Sequence, residues 1–113
     1  PAGIYGKAAL SAIGIWPAVA GRVAQTDNAR AALALVATWE AELGIVYATD
    51  AVAADAVHVV AALPADSHPP IRYAMAVVPG GEAALAAELL SWLASPAGLH
   101  HFEEEGFLPL TAR

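Results

Sequence analysis

Apolar residues recur at helical spacing in several stretches of the chain, and residues that start or stop helices bound each stretch. The clearest helix is predicted over residues 28–40, because the N-cap types Asp27 and Asn28 precede an apolar stripe. That stripe consists of Ala29, Ala32, Leu33, Val36 and Trp39. A shorter helix is predicted over residues 3–13, where Gly14 is placed to end it, and Trp16 and Pro17 open a further turn or two.

The C-terminal third predicts two more helices. Residues 82–94 form an amphipathic pattern, with Leu85, Leu89 and Trp92 or Leu93 on the inward face. Ser95 caps a last helix that begins at Pro96, runs to residue 105 and stops at Gly106.

Short apolar runs separate these helices and predict strands. They cover residues 43–48 (LGIVYA), 57–63 (VHVVAAL) and 71–78 (IRYAMAVV), and a short strand at residues 22–24 stays open. Thr49 and Asp50 are expected to cap a brief helical turn over residues 51–54. Helices that alternate with strands of this length predict an α/β fold with a mainly parallel sheet.

Composition excludes several classes of protein. Of the 113 residues 58% are apolar, but about half of these are alanine, a helix former rather than a bulky core residue. No stretch approaches ~18 consecutive apolar residues, the length that a membrane span needs. The chain has no cysteine, so it contains no disulfide, zinc-cysteine cluster or cysteine nucleophile. A net charge of −6 argues against nucleic acid and anionic membranes as partners.

The residue types that could carry catalysis form no catalytic pattern. Asp66, Ser67 and His68 are adjacent in sequence, which predicts a turn with local hydrogen bonds rather than a nucleophile–base line. His100 and Glu104 stand one helical turn apart and could hold a metal, but a solvated helix face is the favoured interpretation. We therefore expect no enzyme activity, no cofactor and no direct cation site.

Two predicted helix starts and one strand end are the more informative features. Ala2 and Ala29 open helices, and the backbone N–H groups at a helix start suit an anion. Both side chains are small, so an anion could approach the backbone closely. Tyr47 lies at the carboxyl end of a predicted strand, the end at which α/β sheets bind ligands, and its phenol can donate one hydrogen bond.

Five segments resemble the periplasmic molybdate-binding proteins, the solute receptors of molybdate ABC transporters, in order and spacing. They are PAGIYGKAAL from residue 1, DNARAALALV from 27, LGIVYATDA from 43, PADSHPPIRYAMAVV from 64 and GFLPL from 106. The resemblance implies high-affinity binding of molybdate or tungstate in the periplasm, with a membrane permease as partner. It assigns the oxyanion donors to the backbone N–H of Ala2, the backbone N–H of Ala29 and the hydroxyl of Tyr47. The family commonly has a residue larger than alanine at position 29.

The same resemblance implies a type II periplasmic-binding-protein fold with two lobes. The serine-bearing loops of that family's first lobe do not occur in this sequence, so we expect the chain to begin mid-protein and to lack an N-terminal lobe. Residues 1–70 would form the second lobe, and residues 71–113 a crossover strand and helices that return to the first lobe. The alternative is the effector-sensing module of a transcription regulator, which can share this fold.

Overall fold

Six α-helices and one 3₁₀ turn form within residues 1–110, the part of the chain that this computed structural model describes. The helices are α1 (Ala2–Ala12), α2 (Trp16–Val19), α3 (Ala29–Ala37), α4 (Ala48–Val52), α5 (Ala83–Leu93) and α6 (Pro96–Glu104), and the 3₁₀ turn is Ala20–Arg22. The chain divides into two units, Pro1–Ile71 and Arg72–Arg113. The assignment of residues 1–70 and 71–113 to lobes of a receptor stays a prediction. Among the described helices, none has the length and apolar character needed to cross a membrane.

Three helices end in the same backbone motif, in which a residue with positive φ follows the C-cap. Gly14 (φ 77°) serves α1 and Gly106 (φ 85°) serves α6, as the sequence predicts. At α3 the position is held by Trp39, with φ 63°. The Trp39 N–H donates to the Val36 carbonyl at 3.1 Å, and the next N–H donates to the Leu35 carbonyl at 2.8 Å. The α3 helix therefore ends at Ala37, three residues before the predicted end.

Trp39 does not belong to the apolar stripe of α3, which corrects the sequence prediction. The turn that ends the helix carries this side chain away from the stripe, and Trp39 is 93% exposed. The helical spacing of apolar residues placed Trp39 in the stripe, although the helix ends two residues before it.

The segment 43–47 lies between α1 and α3. A Cβ atom on Gly44 would stand 2.9 Å from the Val36 Cγ2 atom of α3. A Cβ atom on Gly6 of α1 would stand 3.0 Å from the Ile45 Cγ2 atom. These two glycines allow both helices to approach the segment closely, because any side chain at either position would meet its neighbour.

The predicted strands are not formed within residues 1–110. Residues 43–47, 57–63 and 71–78 adopt neither helix nor strand, and residues 22–24 give no strand either. A strand exists only in a hydrogen-bonded ladder with a neighbour, and no such ladder forms in the described part of the chain. The apolar, β-branched pattern indicates that the side chains suit a sheet. It does not indicate that partner strands are present. The described residues are therefore helical, and they do not establish the predicted α/β sheet.

The second unit contains α5 and α6, which contact each other across a short connection. The Ser95 Oγ accepts a hydrogen bond from the Gly98 N–H at 3.3 Å, so the predicted cap of α6 is confirmed. Gly98 is buried, and a Cβ atom there would stand 2.6 Å from the Leu93 Cα atom. Phe107 places its ring edge-on against Tyr73 and Phe102, at centroid distances of 5.4 and 6.0 Å.

Very little apolar surface is fully buried. Ala9 is the one apolar side chain with no exposed surface among residues 1–110. On α5, Leu85, Leu89 and Trp92 were predicted to face inward but are 60%, 55% and 48% exposed, whereas Leu93, the alternative to Trp92, is half-buried. An apolar groove runs between residues 75–78 and the side of α5 that carries Ala86, Leu90 and Leu93. The face of α5 that carries Leu85, Leu89 and Trp92 therefore stays largely exposed within residues 1–110.

Candidate functional site

Ala2 is the first residue of α1 and is half-buried. The preceding Pro1 carbonyl accepts hydrogen bonds from the N–H groups of Ile4 and Tyr5, at 2.9 and 3.3 Å. The Ala2 N–H itself has no acceptor within residues 1–110. A half-buried donor of this kind is available to a ligand or to water.

Ala29 is the first residue of α3 and is also half-buried. The Asn28 Oδ1 atom accepts from the Ala31 N–H at 2.9 Å, so Asn28 is the N-cap that the sequence predicts. The Asn28 carbonyl accepts from the Ala32 N–H at 3.2 Å. These bonds leave the Ala29 N–H without an acceptor among the described residues, as at Ala2.

Tyr47 lies immediately before α4 and is half-buried. Its backbone is extended (φ −73°, ψ 149°), and its carbonyl accepts from the N–H groups of Asp50 and Ala51, at 3.1 and 3.2 Å. The helical turn therefore starts at Ala48, whereas the sequence predicted a start at residue 51 with Thr49 and Asp50 as caps. The prediction was wrong because a backbone carbonyl, not a polar side chain, begins this turn.

The elements that carry the three residues are packed together. Residues 43–47 lie against α1 through Gly6 and against α3 through Gly44. The Arg30 Nε atom lies 3.9 Å from the Asp50 Oδ1 atom, so the first turn of α3 faces α4 directly. Ala2 stands four residues before Gly6, about 6 Å along the helix at the usual rise. Sequence reasoning missed the Arg30–Asp50 ion pair, although the two residues lie next to Ala29 and three residues after Tyr47.

The chemistry that these positions offer is hydrogen-bond donation. The helices α1 and α3 span 11 and 9 residues, so each presents the positive end of a helix dipole together with an unused N–H. A phenol adds a neutral donor. Such a set suits an anion and needs no bound cation.

The Asp66–Ser67–His68 segment is a turn, as predicted. The Ser67 Oγ donates to the Pro64 carbonyl at 2.5 Å, and the Ser67 N–H donates to the same oxygen at 3.0 Å. The His68 Nδ1 atom lies 2.9 Å from the Pro69 carbonyl oxygen. Both side chains are engaged with nearby backbone, and this arrangement does not align a nucleophile with a base.

The histidines of α6 form a solvated helix face. The His100 Nε2 atom lies 3.5 Å from the Glu104 Oε1 atom, and the His101 Nδ1 atom lies 3.4 Å from the other oxygen of the same carboxylate. Both histidine side chains are about two-thirds exposed. Within residues 1–110, no three His, Asp or Glu side chains are grouped as metal ligands.

The sequence matches a known protein family over nearly its whole length. Residues 1–108 match the family described as bacterial extracellular solute-binding protein. This chain belongs to that family. The chain is 44% identical to the molybdate-binding protein ModA of Escherichia coli (strain K12) over 107 aligned residues. The aligned region covers 95% of this chain and 42% of the relative. The chain is 43% identical over 97 residues to the molybdate-binding protein ModA of Haemophilus influenzae, which covers 86% of this chain and 38% of that relative.

The resemblance to molybdate-binding proteins found in the sequence is therefore confirmed. The chain spans about two-fifths of the length of the curated relatives that it matches. The family consists of extracellular solute-binding proteins, which are components of transport systems.

Proposed function

We propose that this chain binds molybdate or tungstate in the periplasm, as the second lobe of a receptor that delivers the anion to the membrane permease of an ABC importer. One observation carries the proposal. Two helix starts, at Ala2 and Ala29, present half-buried N–H groups that have no acceptor within residues 1–110, on elements packed around the segment that ends at Tyr47. The names of both relatives support molybdate as the anion.

The donor set explains which anions are accepted. Molybdate and tungstate are fully deprotonated dianions near neutral pH, so every oxygen can accept a hydrogen bond. The Ala2 and Ala29 N–H groups and the Tyr47 hydroxyl donate. Hydrogen phosphate carries a proton that must be donated to an acceptor, and burying it without one is costly. No Lys or Arg is required in the shell, because oriented backbone dipoles act strongly in a site from which water is excluded.

The rest of the receptor would supply what these residues lack. We propose that residues 1–70 form the second lobe of a type II periplasmic-binding-protein fold and that residues 71–113 return to the first lobe. The runs 43–47, 57–63 and 71–78 would join the sheets of the complete α/β receptor. The exposed face of α5, with Leu85, Leu89 and Trp92, would pack on the first lobe.

Binding without catalysis completes the proposal, with no cofactor beyond the anion itself. It rests on a family of solute-binding proteins and on the local hydrogen bonds that engage Ser67 and His68. The alternative, a regulator's effector module, has no support in the names of the relatives, which are those of binding proteins.

Calorimetric titration of the complete receptor with molybdate, tungstate, sulfate and phosphate tests the proposal. We expect molybdate and tungstate to bind much more tightly than sulfate, and phosphate hardly at all. Equal affinity for phosphate and molybdate contradicts the donor-only site. The 113-residue chain alone should bind molybdate weakly, since the donors of the first lobe are absent and the cleft cannot close.

A further inference from the structure

The one ion pair between α3 and α4 within residues 1–110 joins the elements that carry two of the proposed donors. Arg30 directly follows Ala29, and its Nε atom lies 3.9 Å from the Asp50 Oδ1 atom. Asp50 in turn donates its backbone N–H to the Tyr47 carbonyl at 3.1 Å. A short path of two contacts therefore connects the first turn of α3 with Tyr47.

The two side chains of this pair differ in their surroundings. The Asp50 side chain is only 16% exposed, whereas that of Arg30 is 90% exposed. A carboxylate that has lost most of its contact with water needs a compensating charge or donors. Arg30 reaches across to supply that charge from the solvent side. The pair therefore links an exposed side chain of α3 to a mostly buried carboxylate of α4.

We propose that Arg30 and Asp50 are positioning residues for the oxyanion site. Their ion pair keeps the Ala29 N–H and the Tyr47 hydroxyl in fixed positions relative to each other. This inference rests on the proposed function, because it concerns the same anion site. Neither side chain contacts the anion. The ion pair raises the fraction of molecules in which the two donors converge, and the apparent dissociation constant is inversely proportional to that fraction.

Two other roles for this ion pair predict different effects of the same substitutions on the dissociation constant. If Arg30 attracted the anion by its own charge, neutralising Asp50 would free that charge and strengthen binding. If the pair only stabilised the fold, its loss would lower the melting temperature and leave the dissociation constant unchanged. Positioning requires that loss of either partner weaken binding, and that loss of both be no worse than loss of one.

The test compares the Arg30→Gln, Asp50→Asn and double variants of the complete receptor by molybdate titration, with melting temperatures measured in parallel. Arg22→Gln, on the 3₁₀ turn, and Asp55→Asn are matched controls that make the same changes in net charge outside the pair. We expect each single variant to weaken molybdate binding by about two- to fivefold, an effect of the size that solvent-exposed ion pairs usually have. The double variant should match the singles, and Arg30→Lys should restore part of the loss.

Tighter binding in Asp50→Asn, additive losses in the double variant, or dissociation constants equal to those of the controls would overturn the inference. Because Arg30 is exposed, Arg30→Gln remains informative even where Asp50→Asn perturbs folding. If the wild-type receptor binds molybdate while the variants behave as their controls, only this inference fails. If the wild-type receptor does not bind molybdate, the proposed function fails and the inference fails with it.

Discussion

Gly6 of α1 lies so close to Ile45 that a Cβ atom on the glycine would stand 3.0 Å from the Ile45 Cγ2 atom. Two residues beyond Ile45 is Tyr47, and one helical turn before Gly6 is Ala2. The contact therefore packs α1 against the segment that leads to Tyr47. A larger residue at position 6 would push α1 away from the segment 43–47.

Gly6→Val should destabilise the receptor by about 1–3 kcal/mol, the usual cost of overpacking. Gly3→Val is the matched control on the same helix, because no heavy atom lies within 4 Å of a Cβ atom at that position. Urea unfolding of both variants measures the difference. If Gly6→Val is no less stable than Gly3→Val, the close approach of α1 to Ile45 is wrong.

Trp39→Gly should stabilise the receptor by about 1 kcal/mol. A tryptophan at φ 63° has an unfavourable backbone conformation that glycine adopts without strain, and little packing is lost because Trp39 is 93% exposed. Gly14→Ala, at the equivalent position of α1, should have the opposite effect. Thermal unfolding of the two variants checks the signs, and a lower melting temperature for Trp39→Gly contradicts the assignment of the α3 terminus.

The 113-residue chain expressed alone should be unstable or self-associate. Leu85, Leu89 and Trp92 expose about half or more of their surface, and apolar faces of this kind seek a partner. Analytical sedimentation over a range of concentrations, together with thermal unfolding, provides the measurement. A monomer with a cooperative unfolding transition would contradict the proposal that this face packs on a first lobe.

Ala29→Pro should weaken molybdate binding about as much as loss of the Tyr47 hydroxyl, because it removes the backbone N–H. Proline is sterically acceptable at a first helical position, and the preceding Asn28 already has the extended backbone (ψ 169°) that proline requires. Ala29→Val keeps the N–H and is the control, for which titration should show a far smaller loss. Equal molybdate affinities of the two variants would show that the Ala29 N–H does not bind the anion.

Helix positions were largely predictable from the sequence, because local residues determine them. Asn28, Ser95 and Gly106 start or stop their helices as predicted, since each acts on backbone groups a few residues away. Trp39 escaped prediction because its conformation is set by the end of α3 rather than by its own preference. The α4 start was missed because the Tyr47 carbonyl leaves no side-chain signal.

Strands and contacts between helices were less predictable, because both depend on distant residues. An apolar run such as 57–63 suits a sheet, but the sequence of the run does not contain its neighbours. The candidate donors Ala2 and Ala29 could be identified as helix starts, whereas the Arg30–Asp50 contact required the packing of α3 against α4. The resemblance to molybdate-binding proteins assigns these positions to one site independently of how their helices pack.

Calorimetric titration of molybdate into the wild-type receptor and its Tyr47→Phe variant tests the central claim most directly. The hydroxyl is the one side-chain donor proposed for this part of the shell, and a hydrogen bond to a charged group contributes roughly 1.5–3 kcal/mol. The account predicts that the variant remains folded, since the ring stays, and binds molybdate roughly 10- to 150-fold more weakly. A wild-type dissociation constant in the phenylalanine variant would contradict the assignment of the oxyanion site to Ala2, Ala29 and Tyr47.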